Sequence, residues 1–195
     1  MKVMEIEKKL KKILKPERYR HTLGVAYTAA SMAMVFDEDL EKAYRAGLLH
    51  DCAKGFSLEE QRDLCRKYGL CLEGALTDSP QLMHSALAPF LAKSEYGEHD
   101  SEILSAVRYH TTGRMAMSLL EQIVFIADYI EPNRKMIPGL SEIRKLAFCD
   151  LEKCTYKILT RTIAYLKQCG QKIDQGTEET CQYYEMKTRH ETKGW

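Results

Sequence analysis

No run of about 18 uninterrupted apolar residues occurs, so no membrane-spanning helix is expected. The N-terminal stretch MKVMEIEKKLKKILKPERYRH threads charges through its apolar positions and lacks the apolar run of a secretory signal. There is no Cys-x-x-Cys pair, and the seven cysteines (Cys52, Cys65, Cys71, Cys149, Cys154, Cys169 and Cys181) are odd in number and scattered. That argues against a zinc ribbon and a disulfide framework, and free thiols suit a reducing, cytoplasmic setting. Charge of one sign is also missing. With 29 Lys plus Arg against 28 Asp plus Glu, the net charge of +1 gives no global drive toward nucleic acid or anionic membrane, so any basic site must be local. No internal repeat, low-complexity tract or base-reading motif stands out.

What is present is enough apolar material for a core, 45% of 195 residues, spaced at helical intervals almost throughout. The spacing predicts helices over about 2–14, 17–36, 39–52 and 58–68, the last ending at Gly69. Asp37-Glu38-Asp39 offers the N-cap of the third. Ser79-Pro80 is a start signal for a helix carrying His84, in which Pro89 is expected to produce a kink or broken turn. Asp100 or Ser101 opens a helix that reaches His110, and Gly113 can terminate it. Ser118 caps LLEQIVFIADYIE, which stops at Pro132. Ser141 and Asp150 open two further helices, the second ending at Cys169-Gly170, and a last one covers about 177–188. IVFIADYI has no partner strands and reads as helix. The expected class is all-α, one helical bundle over 1–195, with a core of about 17–135 and C-terminal helices over about 141–188.

Four of the six histidines (21, 50, 84 and 110) fall in helices that otherwise face a core. One histidine on an apolar face is usually an ordinary core residue. Here two carboxylates accompany the four: Asp51, beside His50 in GLLHDCAKG, and Asp128, interrupting the apolar run IVFIADYIE. An ionised carboxylate buried without a partner costs several kcal/mol or more. No lysine or arginine lies within a helical turn of Asp128 on its face, so a metal ion is the economical partner, with a histidine or arginine from another helix as the alternative. Imidazole plus carboxylate without thiolate suits iron, manganese, cobalt or zinc at an open site. With His50 and Asp51 on one helix and His21 and Asp128 on two others, one ion would tie three helices together. Adjacent residues point about 100° apart on a helix, so the ion would have to sit near that helix's end. His99 and His190 lie in polar contexts and are assigned no role.

The order His21, His50-Asp51, Asp128 resembles the HD-domain superfamily of metal-dependent phosphohydrolases, and His84 with His110 extends the match to members that bind two metals. The strings RYRHTLGVA (18–26), GLLHDCAK (47–54), HSALA (84–88), YHTTGR (109–114) and IVFIADYIEPNR (123–134) are similar to the YqeK family of bacterial HD proteins. The resemblance covers roughly 10–170. It implies an HD-type bundle and a symmetrical bis(5'-nucleosyl)-tetraphosphatase, which cleaves diadenosine tetraphosphate into two ADP through attack of metal-bound hydroxide on a phosphoanhydride. It implies one or two iron ions, with Mn, Co or Zn as substitutes, at His21, His50, Asp51 and Asp128. His84 and the His110-Thr111 pair would meet phosphates or a second metal, and Lys54 and Arg134 would face the substrate.

The residue types fit that chemistry. A metal lowers the pKa of bound water from about 15.7 toward 7 and polarises a phosphoryl oxygen. Asp51 can orient the attacking group, Lys54 can bring positive charge to the bridging oxygen, and Arg134 can fork onto phosphate. The turn Thr111-Thr112-Gly113 can offer hydroxyls and backbone N–H groups. Two rivals stay open: another HD-type nucleotidase or phosphodiesterase with the same metal set, and a non-catalytic helical nucleotide-binding module. The partners expected are nucleotide substrate and ADP product, without nucleic acid or membrane. A homodimer stays open.

Overall fold

The computed structural model describes residues 1–71 and 82–191, apart from the side chains of the last two. Among these the secondary structure is entirely helical. The helices are α1 (Val3–Ile13), α2 (Pro16–Phe36), α3 (Leu40–Leu49), α4 (Leu58–Lys67), α5 (Met83–Tyr96), α6 (Ser101–Tyr109), α7 (Leu119–Ile130), α8 (Leu140–Leu146), α9 (Leu151–Gln168) and α10 (Gln175–Glu191). A short 3₁₀ turn, Cys52–Gly55, follows α3. No helix among the described residues is long and apolar enough to cross a membrane. All seven cysteines are free thiols.

The caps set most boundaries. The Asp39, Asp100 and Asp150 side chains accept from backbone N–H groups of α3, α6 and α9. Ser57 and Ser118 form reciprocal capping boxes with Glu60 and Glu121, satisfying two orphan donors each. The expected start at Ser79-Pro80 lies outside the described residues. Pro89 does not break its helix: α5 runs through it. Leu87, Ala88, Leu91 and Ala92 on either side are buried, and this packing holds the helical path.

The central helix is α2. Its buried face is built from small residues, Gly24, Ala26, Ala29, Ala30 and Ala33, which lets neighbours approach closely. At Gly47 of α3, an added Cβ would stand 2.6 Å from the Ala26 Cα, so this crossing requires glycine. Helix α7, buried at Ile123, Val124, Phe125, Ile126 and Ala127, packs against α2, α3, α6 and α9. Burial of its apolar run stabilises the bundle by roughly 1.5–3 kcal/mol per large side chain. The ends of α3, α6 and α7, the second turn of α2 and the first turn of α5 therefore meet inside one bundle, carrying the histidines and aspartates with them.

Candidate metal centre

Six side chains from five helices converge. His21 comes from the second turn of α2, His84 from the first turn of α5, and Asp128 from the last turn of α7. His110 is the C-cap of α6. His50 and Asp51 do not share a helix, contrary to expectation: α3 ends at Leu49, His50 is its C-cap, and Asp51 opens the 3₁₀ turn with φ −109° and ψ 19°. The chain leaves α-helical geometry at Asp51, and that break removes the 100° divergence and lets adjacent side chains face one point.

The donor atoms fall into two clusters that share Asp51. In the first, His21 Nε2 lies 2.9 Å from Asp128 Oδ1, 3.3 Å from His50 Nε2 and 3.8 Å from Asp51 Oδ2. His50 Nε2 is 3.4 Å from Asp51 Oδ2 and 3.7 Å from Asp128 Oδ1. In the second, Asp51 Oδ1 lies 3.4 Å from His84 Nε2 and 3.7 Å from His110 Nε2, which are 3.1 Å from each other. The Thr111 hydroxyl is 3.4 Å from His84 Nε2. All four histidines and Asp51 are buried, while the Asp128 side chain is about one-fifth exposed.

The outer ring nitrogens explain what the inner ones offer. His50 Nδ1 sits 2.7 Å from the Gly47 carbonyl, His110 Nδ1 2.7 Å from the Val107 carbonyl, and His21 Nδ1 3.0 Å from Glu131 Oε1. Carbonyls and carboxylates only accept, so each Nδ1 must donate, and each Nε2 lone pair points inward. Three lone pairs and two carboxylates thus face one another at near-contact distance, and none of these three imidazoles turns an N–H toward the others. Such a donor set fits a divalent cation, and the outer partners orient the rings as in metal sites generally. Each cluster could hold an ion: His21, His50 and Asp51, and Asp51, His84 and His110.

The electrostatics agree. Burial works against charge on His50, but Asp51 and Asp128 outweigh it and raise its pKa. Burial, then the nearby His50, pushes His110 down to about 4. Burial would raise Asp51, yet His50, His84 and His110 hold it well below the usual carboxylate range. Asp128 is likewise held low against burial, chiefly by Arg134 and then by His21 and His50.

Arg134 is found on Asp128 itself. Its Nη2 donates to Asp128 Oδ1 at 2.6 Å and its Nε to the Asp128 carbonyl at 2.8 Å. The arginine that the reading of α7 did not supply arrives six residues later, from the loop. Lys54 is partly buried, and its side chain makes no hydrogen bond or ion pair among the described residues. Burial lowers its pKa, opposed by Asp51 and Asp128. The turn after His110 is less available than expected: the Thr112 hydroxyl donates to the Gly113 carbonyl, and the Gly113 N–H donates to Tyr109.

Two residues escaped the sequence reading. Arg18, one turn before His21, donates from Nη1 to Asp51 Oδ2 at 2.8 Å; its i, i+3 spacing from His21 was the available signal. Glu131, almost wholly buried, accepts from the Asn133 N–H at 2.7 Å and from its side-chain amide at 3.0 Å while holding His21. A Cβ at position 24 would overlap the Glu131 carboxylate, so Gly24 makes room for it.

Comparison with known proteins places this geometry. Residues 18–133 match the HD domain family model. The symmetrical bis(5'-nucleosyl)-tetraphosphatase of Staphylococcus aureus is 37% identical over 94% of this chain and 95% of its own. That of Halalkalibacterium halodurans is 40% identical over 82% of this chain and 84% of its own. A crystal structure from Clostridium acetobutylicum, described as a predicted HD superfamily hydrolase involved in NAD metabolism, superposes with a TM-score of 0.92. It has 38% sequence identity and covers 96% of this chain and 98% of that one. The chain belongs to the HD domain family, in the YqeK branch whose relatives are named symmetrical bis(5'-nucleosyl)-tetraphosphatases.

Proposed function

We propose that this protein hydrolyses dinucleoside tetraphosphate symmetrically, diadenosine tetraphosphate giving two ADP, with divalent iron held by His21, His50, Asp51 and Asp128. The observation that carries the reading is the inward convergence of two imidazole lone pairs and two carboxylates at 2.9–3.8 Å. In a hydrolase of this family, such a set has the chemistry to hold a divalent ion. A bound divalent ion supplies an acidified water and an electrophile for the phosphoryl oxygen.

The chain's own residues do the rest. Asp51 faces both clusters, Oδ2 toward His21 and His50 and Oδ1 toward His84 and His110, and so stands where it orients the incoming water. The water oxygen bonds to phosphorus as the bridging P–O bond breaks. The bridging oxygen departs on the second ADP, and the water's protons pass to solvent. The Lys54 ammonium, near Asp51 and Asp128 and without a hydrogen-bonded partner among the described residues, supplies positive charge for that oxygen. Arg134, on Asp128 at the first cluster, and the Thr111 hydroxyl, beside His84 at the second, serve the phosphates. His110, kept uncharged and with Nδ1 committed to Val107, presents a lone pair; with His84 it suits a second cation better than a phosphate oxygen. The C-terminal helices belong to the same working unit, since α9 packs on α7.

The test is chromatographic product analysis of diadenosine tetraphosphate with protein of measured metal content. Two ADP per substrate supports the reading. Inorganic phosphate, or a ring-opened monophosphate from a cyclic nucleotide, would favour the rival HD chemistries. Less than about a tenth of a metal per chain, with no turnover after iron or manganese is added, would favour a non-catalytic module.

A further inference from the structure

Beside the His21 edge of the centre lies an open cleft of about 570 Å³ between the start of α2 and the loop after α7. Its volume is that of a small-ligand site. Five cations line it: Lys15, Arg18, Arg20, Arg134 and Lys135. They form two ranks. Arg18 and Arg134, at the inner rim, are bonded to Asp51 and Asp128. The side chains of Lys15, Arg20 and Lys135, farther out, make no hydrogen bond or ion pair among the described residues. Of the two carboxylates in the lining, Glu131 is buried and committed to His21 and Asn133, leaving Glu17 as the free counter-charge. The cleft is therefore strongly positive in a chain whose net charge is only +1.

Symmetric cleavage makes a demand that the His/Asp clusters alone do not meet. With one central phosphorus beside the clusters, a whole nucleoside diphosphate must extend away from them, and its terminal oxygen gains charge as it leaves. We propose that this cleft seats that departing half, and that Arg20, Lys135 and Lys15 bind its two phosphates. The assignment rests on the dinucleotide reading above. An outer rank of unpaired cations continuous with the centre suits an oligophosphate, whereas a single phosphate ester would reach only the inner arginines. Attraction of this kind acts mainly on binding and is screened by salt.

The experiment compares the fully metal-loaded wild type with Arg20→Gln/Lys135→Gln and with Lys145→Gln/Lys157→Gln. The last pair removes equal charge from another face. For the cleft variant, KM for diadenosine tetraphosphate is expected to rise at least about fivefold, with kcat within about threefold and a shallower dependence of KM on salt. Metal content and the helical circular-dichroism signal stay unchanged, and the remote pair leaves KM unchanged. A smaller rise in KM, or an equal rise in the remote pair, overturns the assignment. If the wild type fails to yield two ADP, the reading of the reaction falls. ADP binding measured by calorimetry then still tests the cleft: at least about a fivefold loss in the cleft variant alone upholds it, and unchanged affinity overturns it.

Discussion

The two clusters that meet at Asp51 are unequally equipped. The first has two carboxylates, two histidines and a buried carboxylate behind one ring, with an arginine on each aspartate. The second has two histidines and only the shared carboxylate. Divalent charge is well matched in the first and under-matched in the second. The first should therefore fill at lower cation concentration, and the second should depend on the substrate's own negative charge. Asp51 makes the two sites one unit, because its two oxygens face opposite ways.

Graded substitutions can break this contrast. Asp51→Ala removes the shared ligand and is expected to abolish both cation binding and hydrolysis while the helices persist. Asp128→Ala empties the first cluster and also abolishes turnover, and His110→Ala lowers stoichiometry at the second while the first still loads. Atomic absorption of dialysed variants, paired with circular dichroism, reads the series. Full loading and normal activity in either aspartate variant would contradict it.

A smaller effect is expected at Glu131→Gln, which keeps the oxygen facing His21 but loses the charge. First-cluster affinity should fall roughly 10–100-fold, as for outer partners of metal-bound histidines, with the second cluster unaffected. Competition titration with a chelating dye measures it, and unchanged affinity would remove Glu131 from the account.

The smallest effect concerns pH. In cation-free protein, the raised pKa of His50 contributes stability that is full below its unfolded value of about 6.5 and lost as pH rises through the folded pKa. A cation takes over that role from the proton. His110, held near 4, is uncharged in both forms at pH about 5.5–8 and cancels. The difference in Tm between loaded and cation-free protein should therefore widen across that range. A difference that narrows with rising pH would contradict the assignment of His50.

Much of this molecule was legible in its residues, for identifiable reasons. Asp39, Asp100, Ser118 and Asp150 announce helix starts because a short acceptor beside an apolar period has little else to do there. The histidines and aspartates were legible because polar groups at core-facing positions require partners. What stayed hidden depends on contacts between distant segments. No glycine or proline marks the end of α3 at Leu49, so the break at Asp51 that aims two adjacent side chains together has no local signal. Arg134 reaches back over the end of α7, and Glu131 meets His21 across 110 residues. Pro89 misled because local propensity yields to the packing around α5.

The central claim is tested most directly by crystals soaked in manganese and measured for anomalous scattering. The account predicts a strong peak about 2.0–2.2 Å from His21 Nε2, His50 Nε2 and carboxylate oxygens of Asp51 and Asp128. It also predicts a second, weaker peak on the His84–His110 side of Asp51. Manganese bound elsewhere, or those four side chains turned away from a common point, would contradict it.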